Sequence, residues 1–399
     1  MQRIVDERGF EEFFAVLHAH GELVGPTERD GAIVVDHPDT VAQLPVGVYE
    51  VQSPGRYRLR RTPDAAPTGG RRSFGYTTTA TPWKRWLFEP RTLLVRARRD
   101  PALPNDGRDS DGNGRGFRLE LPTGPSRRPL VLFGMRPCDV AAVLVQDRVL
   151  LGGPFADRHY RARREGAVVV VAQCTDPAAT CCCASAGTGP TATTGFDLSI
   201  TELPAVPPSP GVEPADGRPH RFLLDAVTET GRRLLGAVTA EEPTADDVAE
   251  ATALGTAAAS AMVRSFDAGD ARDLGAMLTH PHWDEVGSRC LSCGNCTAVC
   301  PTCFCSTVED TTSIDGAAAE RWRQWDSCFT LDHSSMNGRP VRSTTVQRYR
   351  QWLTHKVSTW HDQFGESGCV GCGRCITWCP VGIDLTEELA ALSPEAMTP

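Results

Sequence analysis

The sequence of 399 residues has no cysteine before position 138 and no apolar run long enough to span a membrane. It has no excess of positive charge, since its net charge is -9, and a general nucleic-acid-binding protein needs a basic face to displace phosphate counterions. It also contains no Walker loop, no His-Glu-x-x-His motif and no Gly-x-Ser-x-Gly motif. These absences argue against a membrane protein, a nucleic-acid-binding protein and the enzymes that those motifs mark.

Length and composition predict a soluble protein of two or three domains. Its 399 residues exceed what one hydrophobic core usually serves, and 40% hydrophobic with 23% charged residues is typical of globular chains. The charges of Arg3, Asp6 and Glu7 fall where a signal peptide needs its apolar region. We therefore expect a cytoplasmic chain.

Cysteine is abundant, with 16 in the chain. In a reducing compartment so many thiols are expected as metal ligands or redox groups rather than as structural disulfides. All of them lie in the C-terminal two thirds of the sequence, at positions 138, 174, 181 to 183, 290, 293, 296, 300, 303, 305, 328, 369, 372, 375 and 379.

The strongest motif is Cys-x2-Cys-x2-Cys-x3-Cys-Pro, which occurs twice. In two-cluster ferredoxins the first three thiolates of each motif hold one cubane, and the fourth reaches across to the other cluster. One [4Fe-4S] cluster is therefore predicted at Cys290, Cys293, Cys296 and Cys379. The other is predicted at Cys369, Cys372, Cys375 and Cys300. The alternative is a pair of zinc sites with four cysteine ligands each, although zinc sites commonly use separated Cys-x2-Cys pairs. Gly294, Gly371 and Gly373 lie within the motifs, where the backbone must approach sulfide closely.

The long insert between the two motifs, residues 304–368, raises a further question. Three thiols in or beside it have no obvious fourth partner: Cys303, Cys305 and Cys328. They predict either a further cluster with an unidentified ligand or buried cysteines that pack near the metal. The insert also carries Lys356 among several arginines, which fits a solvated face, a docking surface or a balance for cluster charge.

A parallel sheet is predicted upstream of the motifs. Two short apolar runs, 129–134 and 167–172, flank a helical pattern over 139–151, as in a strand, helix, strand unit. Loops after parallel strands emerge at one edge of the sheet, and the N-terminus of the intervening helix favours a thiolate. Cysteines follow both runs and are expected to converge there: Cys138, Cys174, Cys181 and Cys183. This group predicts a third [4Fe-4S] site, with a redox disulfide, zinc or simple packing as alternatives.

The predicted fold class is α/β in the N-terminal and middle regions, with a partly parallel sheet. A C-terminal ferredoxin-like module of helices and loops follows, with two [4Fe-4S] clusters and the long insert. The predicted regions are 1–125 (mixed α/β), 126–243 (α/β with the third site), 244–284 (a helical linker) and 285–399 (the two-cluster module). Thr244 and Asp247 predict a capping box at the start of the linker helix, and segments 100–129 and 203–219 are predicted as loops.

Several runs of residues together resemble the beta subunit of sulfhydrogenases, which are cytoplasmic NAD(P)-linked [NiFe] hydrogenases. The A subunit of anaerobic sulfite reductase is a close relative of this family. The resemblance covers roughly residues 75 to 390 and is carried by runs at 132–139, 180–183, 187–190, 300–305, 325–328 and 368–375. One departure is Cys182, which stands where an aromatic residue is expected, as at Phe304 in the later Cys-x-Cys.

The resemblance implies an iron–sulfur subunit that works beside a flavin subunit handling NAD(P)H and beside small and large [NiFe] hydrogenase subunits. The chain offers no recognisable flavin or nicotinamide site, which hydride chemistry needs, and no catalytic residue. We therefore expect an electron-transfer subunit with two [4Fe-4S] clusters, and a third or more where the other cysteines bind. The alternatives are the same role in an anaerobic sulfite reductase and a binding module shaped by zinc. Contacts with nucleic acid or membrane are not expected.

Overall fold

A computed structural model describes residues 1–62, 72–100, 116–122, 128–205 and 219–393. The strands are β1 Gln2–Val5, β2 Glu22–Arg29, β3 Ala32–Asp36, β4 Val48–Ser53, β5 Arg56–Arg61, β6 Arg91–Asp100, β7 Gly116–Glu120, β8 Leu130–Met135, β9 Val168–Ala172, β10 Leu198–Leu203, β11 Arg221–Ala226, β12 Ser306–Thr312, β13 Ala318–Trp325, β14 Ser335–Met336 and β15 Arg339–Pro340. The helices are α1 Glu7–His20, α2 Lys84–Leu87, α3 Pro137–Leu151, α4 Arg158–Arg164, α5 Glu229–Leu235, α6 Ala245–Ser260, α7 Ala268–Asp273, α8 His282–Arg289, α9 Asn295–Ala298, α10 Thr345–Thr354, α11 Trp360–Phe364, α12 Arg374–Thr377 and α13 Leu385–Ala391. Within these ranges no helix has the length and apolar character that a membrane crossing requires.

The largest sheet has seven strands in the order β1-β11-β10-β9-β8-β2-β3. Its centre is parallel, because β2 pairs with β8, β8 with β9 and β9 with β10 in the same direction. The flanking pairs β1–β11, β10–β11 and β2–β3 are antiparallel. The predicted strand, helix, strand unit is confirmed as β8, α3 and β9, and so is the mixed α/β architecture with a partly parallel sheet.

Both faces of this sheet are covered, as a parallel centre requires. On one face α1 packs its apolar stripe against the strands, and Phe10 stacks on Phe222 with ring centroids 4.1 Å apart. On the other face Val140 and Val143 of α3, together with Tyr160 of α4, join a second apolar cluster. This packing fixes α3, whose first turn carries Cys138, over the carboxyl edge of β8.

The capping box predicted for the linker helix is confirmed, whereas one of the predicted loops contains a strand. α6 has the predicted capping box, in which Thr244 and Asp247 exchange hydrogen bonds. The segment 100–129 was predicted as a loop, but residues 116–120 form β7, which pairs with β6. The loop composition is overridden there because β6 offers an open edge for pairing. The remainder of that segment, 101–115 and 123–127, and most of 203–219 lie outside the described residues.

A second sheet joins parts of the chain that are far apart in sequence. Its four antiparallel strands run in the order β12-β13-β6-β7, so the insert contributes two strands and the N-terminal region two. The seven-stranded sheet likewise takes strands from both sides of residue 125.

The C-terminal region consists of short helices around an apolar core. Trp283 of α8 and Tyr349, Trp352 and Leu353 of α10 are buried in this core. Several cysteines of both motifs, among them Cys296 and Cys375, pack against it from the outside. The cysteine loops therefore pack on the surface of this apolar core and are not part of its interior.

Candidate metal centres

The first candidate centre is a small cavity beside α8 and α9. Cys290 follows the last residue of α8, and Gly294, with a φ of 74°, turns the chain into α9 between two further cysteines. Five cysteines line its wall: Cys290, Cys293, Cys296, Cys375 and Cys379. The structure therefore brings together the four residues predicted for one cluster, three from the first motif and one from the second.

The wall of this cavity combines sulfur-directed donors with apolar rings. The backbone N–H of Ser292 lies 3.4 Å from Cys290 Sγ, and that of Ile383 lies 3.3 Å from Cys379 Sγ. The rest of the wall includes Phe329, Tyr349 and Trp352. Such donors stabilise charge on thiolate sulfur, and the apolar rings limit the access of water, which together suit an iron–sulfur group.

The second candidate centre is a small cavity between the 369–376 loop and Cys300. Its cysteine lining contains the four residues predicted for the other cluster: Cys300, Cys369, Cys372 and Cys375. The backbone N–H of Gly371 points at Cys369 Sγ from 3.5 Å, and Thr302 Oγ1 lies 3.2 Å from Cys300 Sγ. Cys375 also lines the first cavity, so the two centres are direct neighbours.

Burial makes most of these thiols poor acids on their own. Removal from water raises the pKa of Cys369 to about 12 and raises the pKa values of Cys296 and Cys375 well above their ordinary value. A buried thiol becomes a thiolate only when a nearby cation compensates its charge, as iron does in a cluster. The thiols of both cavities therefore fit a metal–sulfur group.

The third predicted group also converges. Cys138 lies in the first turn of α3 and Cys174 follows β9, both at the carboxyl edge of the parallel strands. Cys181 interacts electrostatically with Cys174 and Cys183, and Cys138 does so with Cys183. All four are buried. The structure thus places this group together, as the parallel sheet led us to expect.

Cys182 points elsewhere. It lines the second cavity, and its N–H donates to the carbonyl of Gly371 at 2.9 Å. A Cβ at Gly371 would lie 2.5 Å from the Cys182 carbonyl oxygen, and one at Gly373 would lie 2.4 Å from that of Thr180. A side chain at either position would collide with the 180–183 loop, so glycine is needed for this close contact. The sequence predicted only that these glycines make room for sulfide.

The remaining three cysteines form two hydrogen-bonded pairs with their neighbours. The Cys303 thiol bonds with Cys300, and Cys305 bonds with Cys328. Cys305 also contacts the ring of His333, and this contact, with that to Asp326, raises the pKa of His333 to about 9 against the effect of burial. His333 was not among the predicted site residues.

Two buried lysines beside Cys300 form the largest unforeseen feature. Lys356 Nζ donates to Thr302 Oγ1 at 2.9 Å, and Lys84 Nζ donates to the Cys303 carbonyl at 2.8 Å. With the hydrogen bond from Cys303, these two cations lower the pKa of Cys300 despite its burial. Lys356 is 4% exposed, so it belongs to no solvated face.

Composition holds a signal for these lysines. Lys84 and Lys356 are the only lysines in the sequence, whose 41 basic residues are otherwise all arginine. A chain that uses arginine almost everywhere keeps its two lysines at one buried, thiol-rich place. The ammonium group of lysine is a compact point charge, which suits a position against sulfur better than the planar guanidinium group of arginine.

A buried ion pair lies between the second and third groups. Arg374 Nη1 is 2.8 Å from Asp139 Oδ1, and both side chains are almost completely buried. Burial opposes the charge of Arg374, but Asp139, Cys372 and Cys138 outweigh this effect and raise its pKa. The pair links α3 to α12 and places a fixed positive charge beside cysteines of both groups.

A single bound ion fits these residues poorly. Within the described part of the chain, no three His, Cys, Asp or Glu side chains meet at the spacing that one metal ion requires. What favours an iron–sulfur cluster over the zinc alternative is the unbroken Cys-x2-Cys-x2-Cys spacing, since zinc sites commonly use separated Cys-x2-Cys pairs.

The chain is similar to known iron–sulfur proteins. Residues 289–383 match the family described as a 4Fe-4S dicluster domain. The chain is 28% identical over 390 residues to the sulfhydrogenase 2 subunit beta of Pyrococcus furiosus, a match that covers 95% of each chain. No solved structure gives a significant match. These findings confirm the resemblance inferred from the motifs and the presence of an iron–sulfur domain at the C-terminal end.

Proposed function

We propose, from the premise that this chain is an iron–sulfur electron-transfer subunit of a sulfhydrogenase-like oxidoreductase, that it relays electrons between a flavin subunit using NAD(P)H and a [NiFe] hydrogenase module. The premise rests on the similarity along 95% of the chain and on the dicluster domain. The relay is supported above all by one observation. Two thiol-lined cavities lie side by side, and Cys375 belongs to the wall of both.

We assign one [4Fe-4S] cluster to each cavity, with the crossed ligand sets predicted from the motifs. A third cluster is assigned to the Cys138, Cys174, Cys181 and Cys183 group, and Cys303, Cys305 and Cys328 belong to a further site. Such clusters, when bound, supply one-electron oxidation and reduction. The placement of Cys182 at the second cavity supports leaving it out of the third set.

The chain's own residues hold charge and exclude water around these groups. Backbone N–H groups of Ser292, Gly371 and Ile383 aim at ligand sulfurs. Lys84 and Lys356 place positive charge beside Cys300, and buried rings keep solvent out. Hydrogen bonds, charge and exposure of this kind set reduction potentials. In this proposal the chain transfers electrons, and its partner subunits carry out the hydride and hydrogen chemistry.

The setting of the proposed relay follows the same reasoning. We place the chain in the cytoplasm, in a complex with flavin, small hydrogenase and large hydrogenase subunits. The four regions predicted from the sequence remain our proposed division of the chain, with the two sheets linking them.

The iron content of the chain tests the cluster assignment. Iron, acid-labile sulfide and zinc are to be measured on the full chain purified without oxygen. About eight irons per chain support the two clusters of the dicluster domain alone, and about twelve or more support a third. Zinc in place of iron, with no chromophore bleached by dithionite, contradicts the assignment.

The partners are tested on the assembled complex. Affinity purification of the tagged chain from its native host should bring down a nickel-containing subunit and a flavin subunit, and NAD(P)H should bleach the iron–sulfur absorbance only when the flavin subunit is present. Recovery of a sirohaem subunit instead would identify the sulfite reductase alternative. Hydrogenase or NAD(P)H dehydrogenase activity of the isolated chain would contradict the relay.

A further inference from the structure

The hairpin of the insert brings Cys305 and Cys328 together. β12 begins one residue after Cys305 and β13 ends one residue before Asp326, and their register pairs Ser306 with Trp325. The pairing continues one residue beyond the strands, because the Asp326 N–H donates to the Cys305 carbonyl at 2.9 Å. Cys328 follows two residues later, and its thiol interacts with that of Cys305. The strand pairing thus fixes the two thiols as neighbours.

His333, which follows the hairpin in the chain, lies close to this pair of cysteines. It lies in a 3-10 turn, Leu331–Ser334, and its Nδ1 is 2.5 Å from Asp326 Oδ2. The same ring contacts the Cys305 thiol. Since Nδ1 faces the carboxylate, the other ring nitrogen is left for the cysteine side. A carboxylate that orients an imidazole in this way is the common support of a metal-binding histidine.

Positive charge on the opposite side points to an anionic group at this place. Cys303 is buried at 7% exposure and interacts electrostatically with Cys328. Lys84 and Lys356 are both buried beside it, and their partners in the described residues are carbonyls, a hydroxyl, thiols and the rings of Trp325 and Trp360, with no carboxylate among them. Buried ammonium groups need negative charge close by, and cysteine thiolates that hold an anionic cluster would supply it.

We propose that Cys303, Cys305, Cys328 and His333 hold an iron–sulfur cluster with three thiolates and one imidazole, and that Asp326 orients that imidazole. The inference rests on the proposed function in that the chain binds clusters, and it adds a ligand that no cysteine motif contains. The cluster lies beside the second cavity, since the Cys303 thiol contacts Cys300.

The experiment compares three variants of the full chain, purified without oxygen, with the wild type. His333→Ala removes the ligand, and His333→Cys replaces nitrogen by sulfur. His355→Asn is the matched control, because His355 also lies near Cys305 but its ring bonds with Gln363. Iron and sulfide are measured, and the reduced proteins are examined by pulsed EPR for the hyperfine coupling of a coordinated 14N.

The wild type and His355→Asn should show a coordinated nitrogen coupling and equal iron. His333→Cys should keep the iron and lose the coupling, and His333→Ala should lose up to about four irons per chain. Retention of the dicluster signals would show that these variants are folded. Absence of a coordinated nitrogen in the wild type, or iron and coupling unchanged in both His333 variants, overturns the proposal.

The outcomes also separate this site from the relay. A wild type with about eight or twelve irons and no nitrogen coupling removes the fourth ligand set and leaves the proposed function intact. A Cys305–Cys328 disulfide, detected as two thiols lost to alkylation after mild oxidation with iron unchanged, likewise overturns the cluster. Absence of any iron would instead overturn both.

Discussion

The two cavities of the dicluster domain share a cysteine spacing and differ in their surroundings. The first lies near the surface: Cys293 is exposed, and the neighbouring Leu291 and Val381 are 63% and 40% exposed. The second is enclosed by the rest of the protein, with Cys372 buried and the buried Lys356 in its wall. Spacing therefore determines which thiols meet, whereas the surrounding fold determines exposure and local charge.

This difference suggests a division of labour along the proposed relay. A centre near the surface, with an apolar rim, is suited to exchange electrons with a partner protein. A centre enclosed among fixed charges has a potential that the protein controls. Four changes would break or sharpen this comparison.

Replacing one crossed ligand has the largest expected effect. Cys300→Ser changes a residue of the first motif, but we expect it to empty the second cavity, with a loss of about four irons per chain. Cys379→Ser changes the second motif and should empty the first cavity. Iron analysis and EPR of the reduced proteins measure both losses.

Matched variants make this test decisive. Cys300→Ser and Cys369→Ser should leave the same residual EPR spectrum, and Cys379→Ser and Cys293→Ser should leave the other. The centre that survives in the first pair should yield its iron to a hydrophilic chelator faster, because Cys293 is exposed. If residual spectra sort by motif instead, the ligand sets are not crossed.

The third group extends the comparison to a site built without a contiguous motif. Cys138→Ser should lower the iron content by about four per chain, because it removes a ligand from that group. Cys182→Ser is the control and should leave the iron content unchanged. Iron per chain that is equal in the two variants and the wild type would exclude a cluster at Cys138.

Replacing Arg374, whose ion pair with Asp139 lies between the second and third groups, tests how much this buried pair contributes to the free energy of unfolding. Arg374→Met leaves the Asp139 carboxylate buried without its cation, and we expect a loss of about 3–5 kcal/mol in the free energy of unfolding. Anaerobic denaturant unfolding followed by circular dichroism measures it. Arg148→Met, which removes an exposed ion pair with Glu366, should cost less than about 1 kcal/mol. Equal costs for the two variants would show that burial adds nothing.

Lys356 should shift the potential of the second centre, and of a cluster at Cys303, but not that of the first centre. Lys356→Met removes a buried positive charge next to Cys300, so the reduced, more negative state becomes less favourable. We expect the reduction potential of the second centre to fall by roughly 50 to 100 mV, with the first centre as the internal control. An EPR-monitored redox titration gives both values, and equal shifts would contradict a local effect.

The sequence predicts proximity best where the signal is local, while the cluster ligands themselves stay a prediction. The spacing of Cys290 to Cys300 and of Cys369 to Cys379 predicted which thiols line each cavity, and the strand, helix, strand pattern predicted the meeting of Cys138 with Cys183. It failed where contacts cross the chain. Lys84 meets Cys303 across 219 positions, and β6 pairs with β13 across a similar gap. No local pattern encodes such contacts, although the scarcity of lysine offered a hint.

The pairing of β13 with strands on both sides has a practical consequence for engineering. Residues 285–399 read as a self-contained redox cassette, yet transplanting them alone would strip β6 from β13 and expose a strand edge that invites aggregation. The cassette would also lose Lys84 and the 180–183 loop that Gly371 and Gly373 admit. A fusion that borrows these centres as an electron conduit must therefore carry nearly the whole chain.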